Sequence, residues 1–286
     1  MPGFAQSSDK WLAGALMALW LAAAPAWAWA GEGGVPQRVV SINLCTDQLA
    51  MAVAAPGQLV SVTHMAQDPA TSPVAEAAQA YRGNGARAEE VYALEPDLVL
   101  AGAFTAPETR AMLGRLGLRV EVFAPAERLE DIPANIRRMG KVLGREAAAE
   151  KMAQSFEDDL AAIDVPGGAR PLAALYSANG WSAGGSTLPG QIVQAAGFDL
   201  LASELMLDYG GFVPLEVLAV SDPDVVIAST PASPKSRAEE ILAHPVVQKL
   251  RAAGPVAQMG DASWICGTPD VLATVKRLAA LRRGMP

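Results

Sequence analysis

The chain is 286 residues long, and hydrophobic residues make up 51% of it. This length allows two domains or one large one with a sizeable core. The formal net charge of −8 argues against a nucleic-acid partner, because phosphate binding requires a basic surface.

The first 30 residues have the pattern of a secretory signal peptide. Lys10 precedes a run of apolar residues, and small residues before GEGG form two A-x-A cleavage patterns. We predict a signal peptide over residues 1–30, cleaved near Ala28 or Ala30, and an exported chain. A membrane anchor is the alternative, but the apolar run before Pro25 is short for a span.

The next hundred residues alternate between strand and helix patterns. Short β-branched runs at 38–42 and 59–63 indicate buried strands, with a helix reaching Ala54 between them. Further strands at 98–101 and 119–123 flank a helix over 107–116. Such alternation predicts βαβ units and a mostly parallel sheet.

The middle of the chain shows only helical spacing. After a first helix near 131–143, residues 145–163 place Met152, Phe156 and Leu160 on one stripe. At 1.5 Å per residue this second helix would be about 28 Å long. We predict an N-terminal lobe over 37–143, a bridging helix over 144–166 and a C-terminal lobe over 167–286.

The α/β pattern restarts in the last third. We predict strands at 172–176, 225–228 and 256–259, and helices at 188–196, 236–243 and 269–283. The Gly-rich loop 179–190 would either hold an anion at a helix N-terminus or form a flexible loop around Trp181. We favour the second interpretation.

One segment occurs twice. AEEVYALEPDLVLA (88–101) and LEVLAVSDPDVVIA (215–228) align without gaps, so that Glu89 falls on Glu216 and Asp97 on Asp224. Two copies at this distance indicate a duplicated lobe and not a solenoid. The two glutamates would either stabilise a short helix by lying at the positive end of its dipole, or serve a shared function.

The sequence lacks several common catalytic motifs. It contains no Walker loop, G-x-G-x-x-G or H-E-x-x-H. His244 precedes a proline and is expected at the surface or in a helix cap, whereas His64 follows a strand. Two distant histidines do not predict a transition-metal site, and we expect no catalysis.

Several segments of the chain resemble periplasmic substrate-binding proteins for ferric siderophores and cobalamin, which serve ABC importers. They are RVVSINLCTDQLA, the loop QDP (67–69) and both copies of the repeat. The resemblance covers about residues 38–283. It implies an α/β fold of class III: two Rossmann-like lobes bridged by a single long, rigid α-helix. It also implies a cleft for a small-molecule metal chelate, no permanent cofactor and a monomer. Glu89 and Glu216 would dock onto basic pockets of the permease dimer.

Ligand contacts of such a protein are expected in loops that follow strands. The first-lobe candidates are Asn43, His64, Met65, Tyr81, Arg82, Asn84 and Phe104, and the second-lobe candidates are Trp181, Tyr209, Phe212 and Trp264. Tyr92 and Phe156 lie on helical stripes and are predicted to be core residues.

The two cysteines allow three interpretations. Cys45 and Cys266 both follow predicted strands, so they would lie near the cleft or hinge. They would form a disulfide between the lobes if their Cα atoms come within about 7 Å. Otherwise they are unrelated buried residues, or thiols in contact with the ligand.

The ligand stays open at this point, with a slight preference for a ferric siderophore over cobalamin. Haem is a further alternative, with Tyr81, Tyr209 or His64 as axial ligand. An exported α/β enzyme is the alternative from another functional class, and it would need a nucleophile and base that the sequence does not display.

Overall fold

A computed structural model describes residues 34–229, 236–254, 257–259, 262 and 264–285, without the side chains of 253 and 257–259. The predicted signal peptide lies outside this part. Val35–Pro286 pack as one unit. No helix within the described ranges is long and apolar enough to cross a membrane.

The first lobe is built on five parallel strands in the order β3-β2-β1-β4-β5. They are β1 (Val39–Ser41), β2 (Leu59–Thr63), β3 (Arg82–Asn84), β4 (Leu98–Gly102) and β5 (Val120–Phe123). β1 and β4 are neighbours and fully buried, as expected for apolar runs in the centre of a parallel sheet. The strand order reverses between them, which creates a topological switch point.

Helices cover both faces of this sheet. They are α1 (Leu44–Val53), α2 (Ala75–Ala78), α3 (Ala88–Tyr92) and α4 (Pro107–Arg115), with a 3-10 turn at His64–Gln67. Val40 and Val99 pack with α3 and α4, whereas Val39 and Leu98 face α1 and the helices that follow β5. This alternation is the period of two that β-strands impose.

A helical hairpin follows the first sheet. It consists of α5 (Asp131–Leu143) and α6 (Glu146–Ala161), joined at Gly144, whose φ of +66° suits glycine. Arg137 on α5 donates to both Glu150 and Glu157 on α6 and holds the pKa of each carboxyl below its usual range. α6 occupies most of the segment predicted to bridge the lobes.

The second lobe has a parallel sheet of four strands in the order β11-β10-β6-β8 and an antiparallel pair, β7 and β9. The strands are β6 (Leu172–Tyr176), β7 (Trp181–Ser182), β8 (Asp199–Leu200), β9 (Gly211–Phe212), β10 (Val225–Ser229) and β11 (Ala257–Met259). A parallel sheet in each lobe confirms the predicted α/β fold class.

The second-lobe helices are α7 (Leu188–Ala195), α8 (Leu201–Glu204), α9 (Leu215–Ser221), α10 (Pro245–Ala253) and α11 (Val271–Arg283), with 3-10 turns at Ala178–Gly180 and Arg237–Ala243. The predicted helix at 236–243 is thus a 3-10 helix, and the sequence did not predict α10. His244 caps α10, because its Nδ1 accepts from Val246 N at 3.3 Å. α6 packs against α5 of the first lobe and α11 of the second.

The duplicated segment has the same geometry in both lobes. Asp97 precedes β4 and accepts from Gln37 N and Arg38 N, just before the neighbouring strand β1. Asp224 precedes β10 and accepts from Leu172 N at the start of the neighbouring β6. Each aspartate therefore anchors the beginning of an adjacent parallel strand, which explains why the aspartate is repeated.

Two aromatic residues on helical stripes differ in burial. Phe156 is only 2% exposed and lies in the core, as predicted. Tyr92 is 51% exposed, so the prediction that it is a core residue is wrong. The reason is that α3 has only five residues, and Ala88 and Val91 supply its buried side.

Candidate functional site

Asn43 lies where β1 ends at the switch point. It caps α1, because its Oδ1 accepts from Cys45 N at 3.1 Å and from Thr46 N at 3.3 Å. Asparagine is among the preferred residues at this helix position. The cap places the Asn43 side chain at the carboxyl edge of the sheet, where ligands of open α/β folds bind.

A small cavity of about 70 Å³ opens beside Asn43. Its wall combines residues that follow β1, β4 and β5 with one side chain from α5. They include Asn43, Thr46, Gly102, Phe104, Ala126 and Asn135. Phe104 is 88% exposed and stands at the edge of this cavity. The predicted candidates Asn43 and Phe104 are thus brought together.

A larger cleft of about 460 Å³ lies between first-lobe and second-lobe residues. The first lobe contributes Ala126 and Glu127, and the remaining wall comes from the second lobe. Ala126 lines both cavities, so the small cavity and the cleft are adjacent. The larger volume falls within the ordinary range for small-molecule sites.

Aromatic side chains form the second-lobe side of the cleft. Trp181, Tyr209 and Trp264 line it directly. Phe212 packs edge-on against Trp181, with ring centroids 5.3 Å apart, across the antiparallel pair β7 and β9. Trp264 is only 7% exposed, whereas Tyr209 and Phe212 are largely exposed. The structure therefore brings all four second-lobe candidates to one place.

Cys45 and Cys266 are joined by a disulfide, with their Cα atoms 5.0 Å apart. The structure confirms the first of the three interpretations of the cysteines, a disulfide between the lobes. Next to it, a side chain at Gly267 would collide with Ala126 of the first lobe. The bond and this close approach hold the segment 264–267 against the first lobe, and the segment contributes to both cavities.

Five first-lobe candidates do not line either cavity: His64, Met65, Tyr81, Arg82 and Asn84. They belong to the β2 and β3 side of the sheet, away from the switch point. The His64 ring lies against Gly83, where an added side chain would collide with it.

Asn84 is only 1% exposed, and its predicted place in the cleft is wrong. Its Nδ2 donates to Ser41 O at 3.0 Å and to Ser61 Oγ at 2.8 Å, and its Oδ1 accepts from Ala86 N. All three partners are part of the lobe's own framework. Asn84 therefore ties strands together and does not face a ligand.

Several lining residues were not predicted from the sequence. Glu127 follows β5, so the rule that ligands bind after strands could have identified it from the sequence. The residues 186–189 lie at the start of α7, where that rule does not apply. Asn135 lies inside α5, and no local signal marks it. Its position depends on how the hairpin packs against the first sheet.

The two repeated glutamates occupy matching positions in their helices. Glu89 is the second residue of α3 and Glu216 the second residue of α9. Both are exposed, and neither forms an ion pair with another described residue. Each lobe thus presents one unpaired carboxylate on a short helix.

A buried acid lies beneath the switch point. Asp47 on α1 is fully buried, and burial raises the pKa of its carboxyl to about 6, although the hydrogen bonds from Thr63 act in the opposite direction. Thr63 N and Oγ1 both donate to Oδ2, while Oδ1 has no partner. Among the described residues, no group of three or more His, Cys, Asp or Glu side chains could hold a metal ion.

Comparisons with known proteins agree with this geometry. Residues 39–254 match the family model described as periplasmic binding protein. The cobalamin-binding protein of Halobacterium salinarum is 28% identical over 69% of this chain, although the match spans only 55% of that relative. The vitamin B12-binding protein of Pectobacterium carotovorum is 25% identical over 74% of this chain and 80% of its own.

A solved structure shares the fold. The periplasmic haem-binding protein BhuT, in complex with two haems, superposes with a TM-score of 0.69 at 24% identity, over 87% of this chain and 98% of its own. The family match covers well over half of the residues, with all of the first sheet and every strand of the second parallel sheet except β11. The chain therefore belongs to the periplasmic binding protein family.

Proposed function

We propose that this protein is the receptor of an ABC importer, which holds a metal chelate in its interlobe cleft and delivers it to a membrane permease. The observation that carries the proposal is the cleft of about 460 Å³ with Trp181, Tyr209 and Trp264 on one wall. Large flat chelates have extensive apolar surface, and aromatic side chains bury such surface with little loss of side-chain freedom.

The charge of the cleft favours a corrinoid among the chelates. Glu127 is the one charged residue among the described lining residues, and no Lys, Arg or His lines the cleft there. An anionic ferric catecholate would lose hydration without a cationic partner. A corrin ring with uncharged side arms would not need a cationic partner. In addition, two relatives are named for cobalamin or vitamin B12. We therefore favour cobalamin over a siderophore.

Haem is the second candidate, and Tyr209 is the observation that favours it. The phenol of Tyr209 lines the cleft and could supply an axial ligand to iron. The similar fold of the haem-binding BhuT agrees with this alternative. Against it, the two haem propionates would meet Glu127 and no cation among the described lining residues.

The repeated glutamates are the proposed contacts with the permease. A receptor with two similar lobes can present one carboxylate to each half of a symmetric dimer, and Glu89 and Glu216 are equivalent and unpaired. Complementary charge of this kind sets orientation and the rate of encounter. The proposed setting is the periplasm, where the protein would act as a monomer after loss of residues 1–30.

The test is a ligand titration read by tryptophan fluorescence. Without residues 1–30 the chain retains only Trp181 and Trp264, and both line the cleft. Cyanocobalamin, a ferric hydroxamate, a ferric catecholate and haem would each be added to the mature chain. We expect saturable quenching by cyanocobalamin at micromolar or lower concentration.

Trp181→Phe serves as a companion variant in this titration, because it removes one reporter and keeps an aromatic ring in the wall. It should lower the amplitude of quenching more than the affinity. Saturable binding of haem instead would replace the corrinoid by the second candidate. No response to any of the four chelates, from a chain with a cooperative thermal transition, would overturn the proposed function.

A further inference from the structure

The small cavity at the switch point has the size of a subsite for one side arm of a ligand. Its volume of about 70 Å³ is several times the ~10–15 Å³ that a cavity needs in order to hold one water. It can take a group of a few heavy atoms, while a macrocycle must stay in the cleft. Because Ala126 lines both spaces, a ligand in the cleft could extend an arm into the small cavity.

Asn43 offers a hydrogen-bond donor in this cavity. Its Oδ1 is engaged by the backbone N–H groups of Cys45 and Thr46, which fixes the orientation of the carboxamide. Nδ2 is left beside Gly102, where an added side chain would come within 2.7 Å of it. Nδ2 has no acceptor among the described residues. Gly102 therefore leaves room for a donor that the helix cap itself does not use.

Asn135 offers the complementary acceptor. It lies on α5 and lines the same cavity. Its Nδ2 donates to Ala124 O at 3.5 Å, which turns Oδ1 away from that carbonyl. No described residue donates to Oδ1. The cavity thus combines a free donor from the first strand's end with a free acceptor from the hairpin.

The rest of the wall is uncharged. Leu49, Phe104, Phe123 and Pro125 supply apolar surface, and no described lining residue carries a charge. A carboxylate arm would lose its hydration here without a cation, and it would face the Asn135 oxygen. A primary amide would instead satisfy both groups, with its carbonyl oxygen as acceptor and its NH₂ as donor.

We infer that this cavity binds a primary amide arm of the ligand. Asn43 Nδ2 donates to the carbonyl oxygen of the arm, and Asn135 Oδ1 accepts from its NH₂. The inference rests on the proposed function and narrows it, because corrin rings carry acetamide and propionamide arms whereas haem carries carboxylates. The two asparagines select between chelate classes that the aromatic wall alone would hold equally well.

The test compares cyanocobalamin affinity in the mature wild-type chain and in Asn43→Asp. Aspartate retains the oxygen that caps α1 but replaces the Nδ2 donor by a second acceptor. We expect affinity to fall about 10- to 100-fold, the effect of leaving one buried polar group unsatisfied. Asn135→Leu should lower it similarly. Gln248→Glu makes the same amide-to-carboxylate change at an exposed position of α10, outside both cavities, and should leave affinity unchanged.

A second comparison changes the ligand and not the protein. Cobyrinic acid, whose arms are carboxylates, should bind the wild-type chain about tenfold or more weakly than cobinamide, whose arms are amides. If the Asn43→Asp chain melts early, Asn43→Ser retains a cap and takes its place. Equal cyanocobalamin affinity in wild type and Asn43 variants would overturn the subsite and leave the proposed function standing. Absence of cyanocobalamin binding to wild type would overturn both the subsite and the choice of a corrinoid, and absence of binding to all four chelates would overturn the proposed function as well.

Discussion

The two lobes are alike in the segment that is repeated in the sequence and different where they line the cavities. The segments α3–β4 and α9–β10 repeat the same glutamate, the same Pro-Asp and the same anchoring of a neighbouring strand. At the cleft the similarity ends. The first lobe presents asparagines and a small cavity, and the second presents a cluster of aromatic rings.

This difference suggests that docking and ligand binding place different requirements on the two lobes. A surface that meets two equivalent partners gains from having equal halves, whereas a ligand without twofold symmetry gains from unequal walls. A duplicated lobe can satisfy both, provided that the matched and the divergent residues lie on different loops. Here the glutamates precede β4 and β10, while most cleft residues follow strands.

Charge reversal at the equivalent glutamates should produce the largest effect. Glu89→Arg together with Glu216→Arg should reduce uptake to background, because each permease half would face a like charge. Ligand affinity should remain within about twofold of wild type. Uptake of labelled ligand by cells carrying the cognate permease would measure the first effect, and fluorescence titration the second.

Glu146→Arg is the matched control for this experiment. Glu146 is also an exposed acid in the first turn of a helix, but it lies on α6 and outside the repeat. Its reversal should not change uptake. Normal uptake by the double variant at Glu89 and Glu216 would contradict the docking role.

Asp47 in the first lobe should make the stability of the chain depend on pH. Asp47 is the only buried carboxylate among the described residues, and its pKa of about 6 in the folded chain exceeds its ordinary value of 3.8. The folded chain therefore binds this proton more tightly. The resulting stabilisation is complete below about pH 4 and lost as the pH rises through 6, a change of about 3 kcal/mol.

Urea unfolding of wild type and Asp47→Asn between pH 4 and pH 7.5 would measure this contribution. The amide in the variant cannot ionise, so the variant lacks the loss of stability that the wild type suffers as the pH rises. Its unfolding free energy should therefore increase relative to that of the wild type by about 3 kcal/mol across this window. A difference that stays constant with pH would show that Asp47 does not titrate there.

The smallest predicted effect tests how equal the two anchoring aspartates are. Asp97 accepts from two backbone N–H groups and is half-buried, whereas Asp224 accepts from one and is exposed. Asp97→Ala should cost about 2 kcal/mol of unfolding free energy and Asp224→Ala about 1 kcal/mol. Equal losses in urea unfolding would mean that the lobes depend on this bond to the same degree.

The features predicted correctly from the sequence are those encoded within short segments. β1 and β4 are short apolar runs, and each copy of the Pro-Asp repeat lies within 14 residues, so both features are visible without tertiary information. Tyr92 shows the limit of such patterns. A stripe on a helix of five residues has too few positions to distinguish its buried side from its exposed one.

The candidate site was predicted less completely because it depends on strand order. His64 and Asn43 both follow strands, yet only Asn43 lies at the switch point, since β2 has β3 on its far side. Asn135 enters the site from a helix interior, and its neighbours there come from packing between α5 and the first sheet. Neither the order of the strands nor the packing of α5 can be predicted from the residues adjacent to Asn43 and Asn135 in the sequence.

The disulfide also sets an order of events in the making of the protein. Cys45 and Cys266 are 221 positions apart and are the only cysteines of the chain. Synthesis proceeds from the N-terminus, so Cys45 has no cysteine to pair with until nearly all of the polypeptide has been made. No incorrect intramolecular pairing is available to it in that interval. Closure of the bond can therefore mark a finished molecule, and a truncated chain would be left with a free thiol by which it could be recognised.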